Sequence, residues 1–69
     1  MTKLLNLEPA DRINCLVTYN VNRFEVYHAD GHMLTAANTK ADLQAQLAAN
    51  GIKAAFDGAA QRKYLGAQA

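Results

Sequence analysis

The chain has very few cysteines and prolines, no tryptophan and almost no net charge. Its single cysteine, Cys15, excludes a disulfide within the 69 residues, and a reducing, cytoplasmic setting is the simplest expectation. Seven Lys and Arg against six Asp and Glu give a net charge of +1, so no overall field attracts nucleic acid or anionic lipid. We therefore expect no membrane partner and do not favour nucleic acid as a partner.

Long apolar runs are also missing. No uncharged stretch approaches the ~18 residues of a membrane span. The first five residues begin like a secretory signal, but Asn6, Glu8 and Pro9 interrupt them before the roughly 7–15 apolar residues that a signal needs. We expect one domain over residues 1–69, which buries only about 60% of the surface of its unfolded chain. Dimerisation is one way for such a small domain to bury more.

Apolar and polar residues alternate through residues 13–36, a pattern typical of half-buried antiparallel strands. The alternation predicts a first strand over residues 13–19, with Ile13 and Cys15 facing inward. A turn centred on Val21-Asn22 would lead into the second strand. The cross-strand pairs predicted by this turn are Tyr19 with Phe24, Val17 with Val26, and Cys15 with His28. A further short strand is predicted over residues 3–7, ended by Glu8-Pro9.

The second turn, at Asp30-Gly31, is compatible with two registers. A two-residue loop would put Val26 on the same face as Met33. A three-residue loop over residues 29–31, with its glycine left-handed, instead pairs Val26 with Leu34 and keeps every apolar residue on one side. Because a buried face fixes the register, we predict the three-residue loop.

The sequence marks both ends of one helix. Thr39 is a favourable N-cap, and Asp42 lies in the first turn, where the helix dipole favours a carboxylate. Gly51 fits the left-handed position that ends a helix, and Ile52 would then contact Leu47 in a Schellman motif. A narrow apolar stripe should pack on the sheet. The stripe consists of Leu43, Leu47 and Ala48, with Lys40, Gln44 and Gln46 outside it.

After the helix, alternation over residues 52–56 predicts a last strand ended by Asp57-Gly58. In one interpretation Asp57 caps a helical turn that runs to Gly66, with Ala60 and Tyr64 inward; the alternative is a frayed tail over residues 59–69. The pattern is least regular there and in residues 1–10. The predicted fold is a small two-layer α+β domain, an antiparallel meander with one main helix on one face, in the order β-β-β-α-β.

Three side chains with chemical potential meet near the second hairpin tip in these registers. Cys15, His28 and His32 would lie side by side, with Asp30 in the loop. A Cys-His pair can activate a thiolate, and all of these residue types bind zinc. However, no spaced ligand pair such as CxxC accompanies them, and Cys15 occupies an alternating core position. We expect a structural cysteine, no metal and no cofactor.

Catalytic motifs are absent from the sequence. It has no glycine-rich phosphate loop, no Ser-His-Asp order and no prominent carboxylate pair. A two-layer domain of this length also rarely encloses a ligand pocket of about 300 Å³ or more. We therefore do not expect an enzyme and predict no catalytic residue.

The face of the sheet opposite the helix carries a sharper signal. In the predicted registers Leu16, Tyr27 and Met33 form one apolar row, flanked by Arg23 and Glu25. Such a row on an uncovered face often marks a contact surface, and we predict these five residues as the binding site.

The alternative is that a terminal segment, residues 4–7 or 64–65, covers the row. We expect a small protein-binding module that regulates or inhibits a partner protein, of the kind encoded by phages and mobile elements. Two other functions remain as alternatives. One is nucleic-acid binding, in which Tyr27 stacks on a base and Arg23 contacts phosphate. The other is a homodimer.

Overall fold

Four strands and two helices form two layers in the computed structural model of the protein, which describes residues 4–66. The strands are β1 (Cys15–Asn20), β2 (Arg23–Tyr27), β3 (Met33–Ala37) and β4 (Ala54–Phe56). The helices are α1 (Lys40–Asn50) and α2 (Gly58–Gly66), and a 3-10 helix (Pro9–Arg12) precedes the sheet. The predicted α+β class is confirmed, with a second helix added. No helix in the described part of the chain is long and apolar enough to cross a membrane.

The sheet is mixed, with the strand order β3-β2-β1-β4. Strands β1, β2 and β3 form the predicted antiparallel meander, and β4 pairs with β1 in parallel. The chain passes through α1 from β3, at one edge of the sheet, to β4 at the other, so that β4 runs parallel to β1. The predicted last strand is therefore present, although shorter than residues 52–56, and it makes β1 an internal strand.

The first hairpin has the predicted register. Tyr19 pairs with Phe24 and Val17 with Val26. The turn residues have φ angles of 50° at Val21 and 74° at Asn22, as a type I′ turn requires. Val21 is β-branched and 82% exposed, so nothing around it offsets a left-handed conformation that costs about 1–2 kcal/mol.

The second hairpin combines the two registers considered for it. At the tip, the His28 N–H donates to the His32 carbonyl at 2.9 Å, as the three-residue loop predicts. Between Tyr27 and Val26 the register then shifts by one residue, so that Val26 pairs with Thr35. The predicted Val26–Leu34 pair is therefore wrong. The shift makes Leu34 the additional residue of a β-bulge, and this residue still packs against the core.

Helix α1 begins and ends as predicted. The Thr39 hydroxyl accepts a hydrogen bond from the Asp42 N–H at 3.1 Å. Gly51 is left-handed, with φ 63°, and the Ile52 N–H donates to the Leu47 carbonyl at 2.9 Å. These bonds satisfy carbonyl groups that the last turn would otherwise leave unpaired, in a Schellman motif.

Both helices cover the same face of the sheet. Leu43 of α1 and Ala60 of α2 are completely buried in one cluster with Val17 and Val26. The Asp57 carboxylate accepts from the Ala60 N–H at 2.8 Å and caps α2, so the helical interpretation is confirmed for residues 58–66. No helix within residues 4–66 lies on the other face of the sheet.

The N-terminal segment lies against α1. The Leu5 N–H donates to Asn50 Oδ1 at 2.6 Å, and Leu5 and Leu7 pack on the core. The predicted strand over residues 3–7 is wrong for its described part, residues 4–7, which is irregular; residue 3 lies outside the described range. Gln46, one turn before Asn50 on α1, is buried as well.

Three predictions of whether a side chain faces inward or outward are wrong. Gln46 was expected outside and is buried, whereas Ala48 was expected inside and is exposed. Ile13 was expected inside and is 47% exposed, because Asn14 adopts a left-handed φ of 57° and interrupts the alternation before β1 begins.

Candidate functional site

The predicted apolar row lies on the open face of the sheet. Tyr27 pairs with Leu16 on one side and with Met33 on the other, so the three side chains share a face. Leu16 is 41% exposed and Met33 46% exposed. Strand β4 extends the row by Ala55, the partner of Leu16, which the sequence analysis missed because it did not pair β4 with β1. Met33, Tyr27, Leu16 and Ala55 are called the apolar row below.

No described terminal residue covers the apolar row. Leu5 and Leu7 pack against the core cluster on the helical side. Tyr64 also lies there, with its ring centroid 4.8 Å from that of Phe56, and Leu65 is 56% exposed. The alternative in which residues 4–7 or 64–65 lie over the row is therefore wrong, and the row is exposed within the described part of the chain.

A fixed charge pair flanks the row. Arg23 Nε and Nη2 lie 2.9 and 2.8 Å from Glu25 Oε2. The Tyr27 hydroxyl donates to Glu25 Oε1 at 2.9 Å. Although it was expected on an exposed flank, Glu25 is only 6% exposed, because the side chains of its two neighbours on β2 fold over it. The part of this charge pair that faces solvent is the guanidinium of Arg23, whose side chain is 45% exposed.

These bonds shift two pKa values in opposite directions. The hydrogen bond from Arg23, followed by that from Tyr27, holds the pKa of the Glu25 carboxyl below its ordinary value. The same bond to Glu25 raises the pKa of the Tyr27 phenol, since the carboxylate favours the protonated phenol. At neutral pH the carboxylate is therefore ionised and the phenol remains a donor.

The lowered pKa of Glu25 predicts acid sensitivity. Below the ordinary pKa of 4.5 the unfolded chain takes up a proton that the folded chain resists. The stability contributed by Glu25 is thus complete above this pH and disappears as the pH falls through the lower folded pKa. We expect urea unfolding of wild type and Glu25→Gln to differ at pH 7 and to converge in acid. A difference that is constant with pH would contradict this assignment.

Cys15 is separate from the predicted histidine cluster. Its thiol donates to the backbone carbonyls of Asp11 and Ile13 at 3.4 and 3.6 Å. Burial, followed by the charge of Asp11, raises the thiol pKa, so the thiolate form is disfavoured. Cys15 is a core residue, as predicted.

The polar cluster at the hairpin tip has a different third member. The structure brings Asp11 together with His28 and His32. Alternation along the strands placed Cys15 in the cluster, and Glu8-Pro9 was interpreted only as the end of a strand. The carboxylate of Asp11 was missed because the 3-10 helix that positions it has only Pro9 as a sequence signal.

An open groove of about 610 Å³ lies beside α2, lined by Tyr19, Arg62 and Lys63 among others. Lys63 Nζ lies 5.2 Å from the Tyr19 ring centroid, so one cation already occupies a face of this ring. The sequence analysis did not identify this groove, because α2 was one of two alternatives there.

Comparison with known proteins identifies no relative. No protein-family model, curated protein or solved structure matches the chain. A proposal of function therefore rests on the geometry of its own residues.

Proposed function

We propose that this domain is a small protein-binding module that regulates or inhibits a partner protein by occupying its surface. The observation that supports the proposal is the apolar row, which crosses the sheet on the face opposite both helices and is not covered by any described residue. Exposed apolar rows of this kind are typical of contact surfaces rather than of a solvated sheet face.

The flanking charge pair suggests the chemistry of the partner. Glu25 is neutralised within the domain, while part of the Arg23 guanidinium faces solvent. A complementary protein surface would place aliphatic side chains against Leu16 and Met33, and a carboxylate or carbonyl oxygen against Arg23. Tyr27, held by its hydrogen bond to Glu25, is already fixed in orientation, so binding costs little side-chain entropy there.

Two observations favour binding over catalysis. The thiol of Cys15 is buried and its pKa is raised, which does not suit a nucleophile. The grooves beside the helices are open depressions lined by side chains that already contact one another, such as Lys63 and Tyr19. Neither feature offers a reacting group beside a binding cavity.

The two alternatives are less well supported. For nucleic acid, the cation beside the apolar row is Arg23, and its charge is balanced by Glu25. For self-association, a second copy would bring another Arg23 rather than a free carboxylate to the same face, although symmetry can separate the two. We therefore favour a foreign protein.

The test uses two exposed leucines, one on the sheet and one on the helical layer. We expect Leu16→Asp to prevent capture of the partner by the immobilised domain, because it places a charge in the apolar row. Leu65→Asp, on α2, is the matched control and should retain capture. With the captured protein purified, the affinity should fall at least tenfold for Leu16→Asp alone, and the difference should persist at high salt because the lost contact is apolar.

Other outcomes would contradict the proposal. Equal affinity of Leu16→Asp and wild type would show that the partner binds elsewhere. Binding of RNA or DNA oligonucleotides that collapses as salt rises would support the nucleic-acid alternative. A wild-type dimer in sedimentation that Leu16→Asp converts to monomer would assign the face to a second copy instead.

A further inference from the structure

A group of potential metal ligands lies where the tip of the β2–β3 hairpin meets the 3-10 helix. Each of Asp11, His28 and His32 offers one ligand atom, and these three atoms lie within 4.8 Å of one another. The Asp11 carboxylate is 3.7 Å from His28 Nε2, and the two imidazole centroids are 5.2 Å apart. The group therefore connects the segment before the sheet to the hairpin tip.

A neutral His28 cannot form favourable contacts with the oxygen atoms on both sides of its ring. Its Nε2 lies 3.1 Å from the Ala10 carbonyl and faces Asp11. Its Nδ1 is hidden from solvent, lies 3.5 Å from Asp30 Oδ1 and makes no hydrogen bond. A neutral imidazole has one N–H and one lone pair. Whichever nitrogen carries the proton, the lone pair of the other nitrogen points at an oxygen atom and is repelled by it. A cation bound to that nitrogen would remove the repulsion.

Asp30 lies beside the Nδ1 atoms of both imidazoles. Its Oδ1 accepts from the His32 backbone N–H at 3.0 Å and contacts His32 Nδ1. The same oxygen is the one that faces Nδ1 of His28. A carboxylate that receives the Nδ1–H of a histidine fixes the ring so that Nε2 can bind a metal. This arrangement leaves the two Nε2 atoms and the Asp11 carboxylate as ligands.

We propose that Asp11, His28 and His32 bind a divalent transition-metal ion, with Zn²⁺ the best match, and that Asp30 positions the two histidines. Zinc takes imidazole nitrogen and carboxylate oxygen at about 2.0–2.2 Å, which puts neighbouring ligand atoms about 3.4 Å apart. The ligand atoms lie up to 4.8 Å apart in the structure. Side-chain rotations that move them by on the order of 1 Å would bring them to the spacing that zinc requires. Mg²⁺ and Ca²⁺ prefer oxygen ligands throughout and do not match this set.

The first test is calorimetric titration of tag-free protein with ZnCl₂ at pH 7. We expect one Zn²⁺ per chain, and at least tenfold weaker binding for Asp11→Asn and for His32→Ala. Asp42→Asn, which removes an exposed carboxylate from α1, and Cys15→Ala are the controls and should bind as wild type does. MgCl₂ at the same concentration should give no saturable binding.

The second test does not depend on variants that fold. The imidazole carbon resonances of both histidines in wild-type protein should shift on addition of Zn²⁺ in the manner of Nε2 coordination. Absence of saturable binding would overturn the proposal. Undiminished binding by Asp11→Asn and His32→Ala would place the ion elsewhere, as would binding that only Cys15→Ala removes.

Discussion

Leu43→Ala is expected to lower the free energy of unfolding by about 3 kcal/mol, within the usual range of about 2–5 kcal/mol for a leucine in a core. Leu43 is completely buried where α1 meets the sheet, and the truncation leaves a cavity that the completely buried Val17 and Val26 beneath it cannot fill. A domain of this size has a total stability of only about 3–10 kcal/mol at typical values per residue. The variant should therefore unfold at markedly lower urea concentration, as circular dichroism would detect.

Leu65→Ala is the matched control for this variant. Leu65 lies on α2 and is 56% exposed, so removing the same atoms should change the free energy of unfolding by less than about 0.5 kcal/mol. If both variants lost similar stability, α1 would not pack on the sheet as described.

Asn50→Ala is expected to destabilise the domain by about 2 kcal/mol and to release the N-terminal segment. The buried side chain of Asn50 accepts from the Leu5 N–H and donates from Nδ2 to the Gln46 carbonyl at 2.9 Å. Alanine leaves the Leu5 N–H without its acceptor. Hydrogen exchange should accelerate in residues 4–7 of the variant, and urea unfolding should give the loss of stability.

Asn38→Ala provides the comparison. Asn38 is exposed before α1, and its replacement should leave exchange in residues 4–7 unchanged. Slow exchange in this segment in Asn50→Ala would mean that the apolar packing of Leu5 and Leu7 alone holds it, contrary to expectation.

Local signals predicted the parts of the fold that depend on neighbouring residues. The Val21-Asn22 turn fixes the register of β1 and β2, and Thr39 and Gly51 define α1, because each acts within a few residues. The position of β4 could not be predicted in this way. Its pairing with β1 joins residues far apart in the chain and depends on how α1 crosses the sheet.

The sequence predicted the apolar row but not the state of its neighbours. Alternation placed Leu16, Tyr27 and Met33 on one face, and the pairing agrees. Alternation contains no information on whether a charged side chain on that face stands in solvent or is covered. Glu25 is covered because Arg23 and Tyr27, two positions away on the same strand, both reach its carboxylate.

The parallel pairing of β4 also has a consequence for synthesis of the chain. Strands β1, β2 and β3 are joined by tight turns and leave the ribosome before α1 and β4 do. Until β4 arrives, the Cys15–Asn20 strand is an edge with unpaired backbone groups and with Leu16 exposed on its open face, the kind of edge that joins other chains. Docking of only three residues, Ala54–Phe56, pairs this edge of β1.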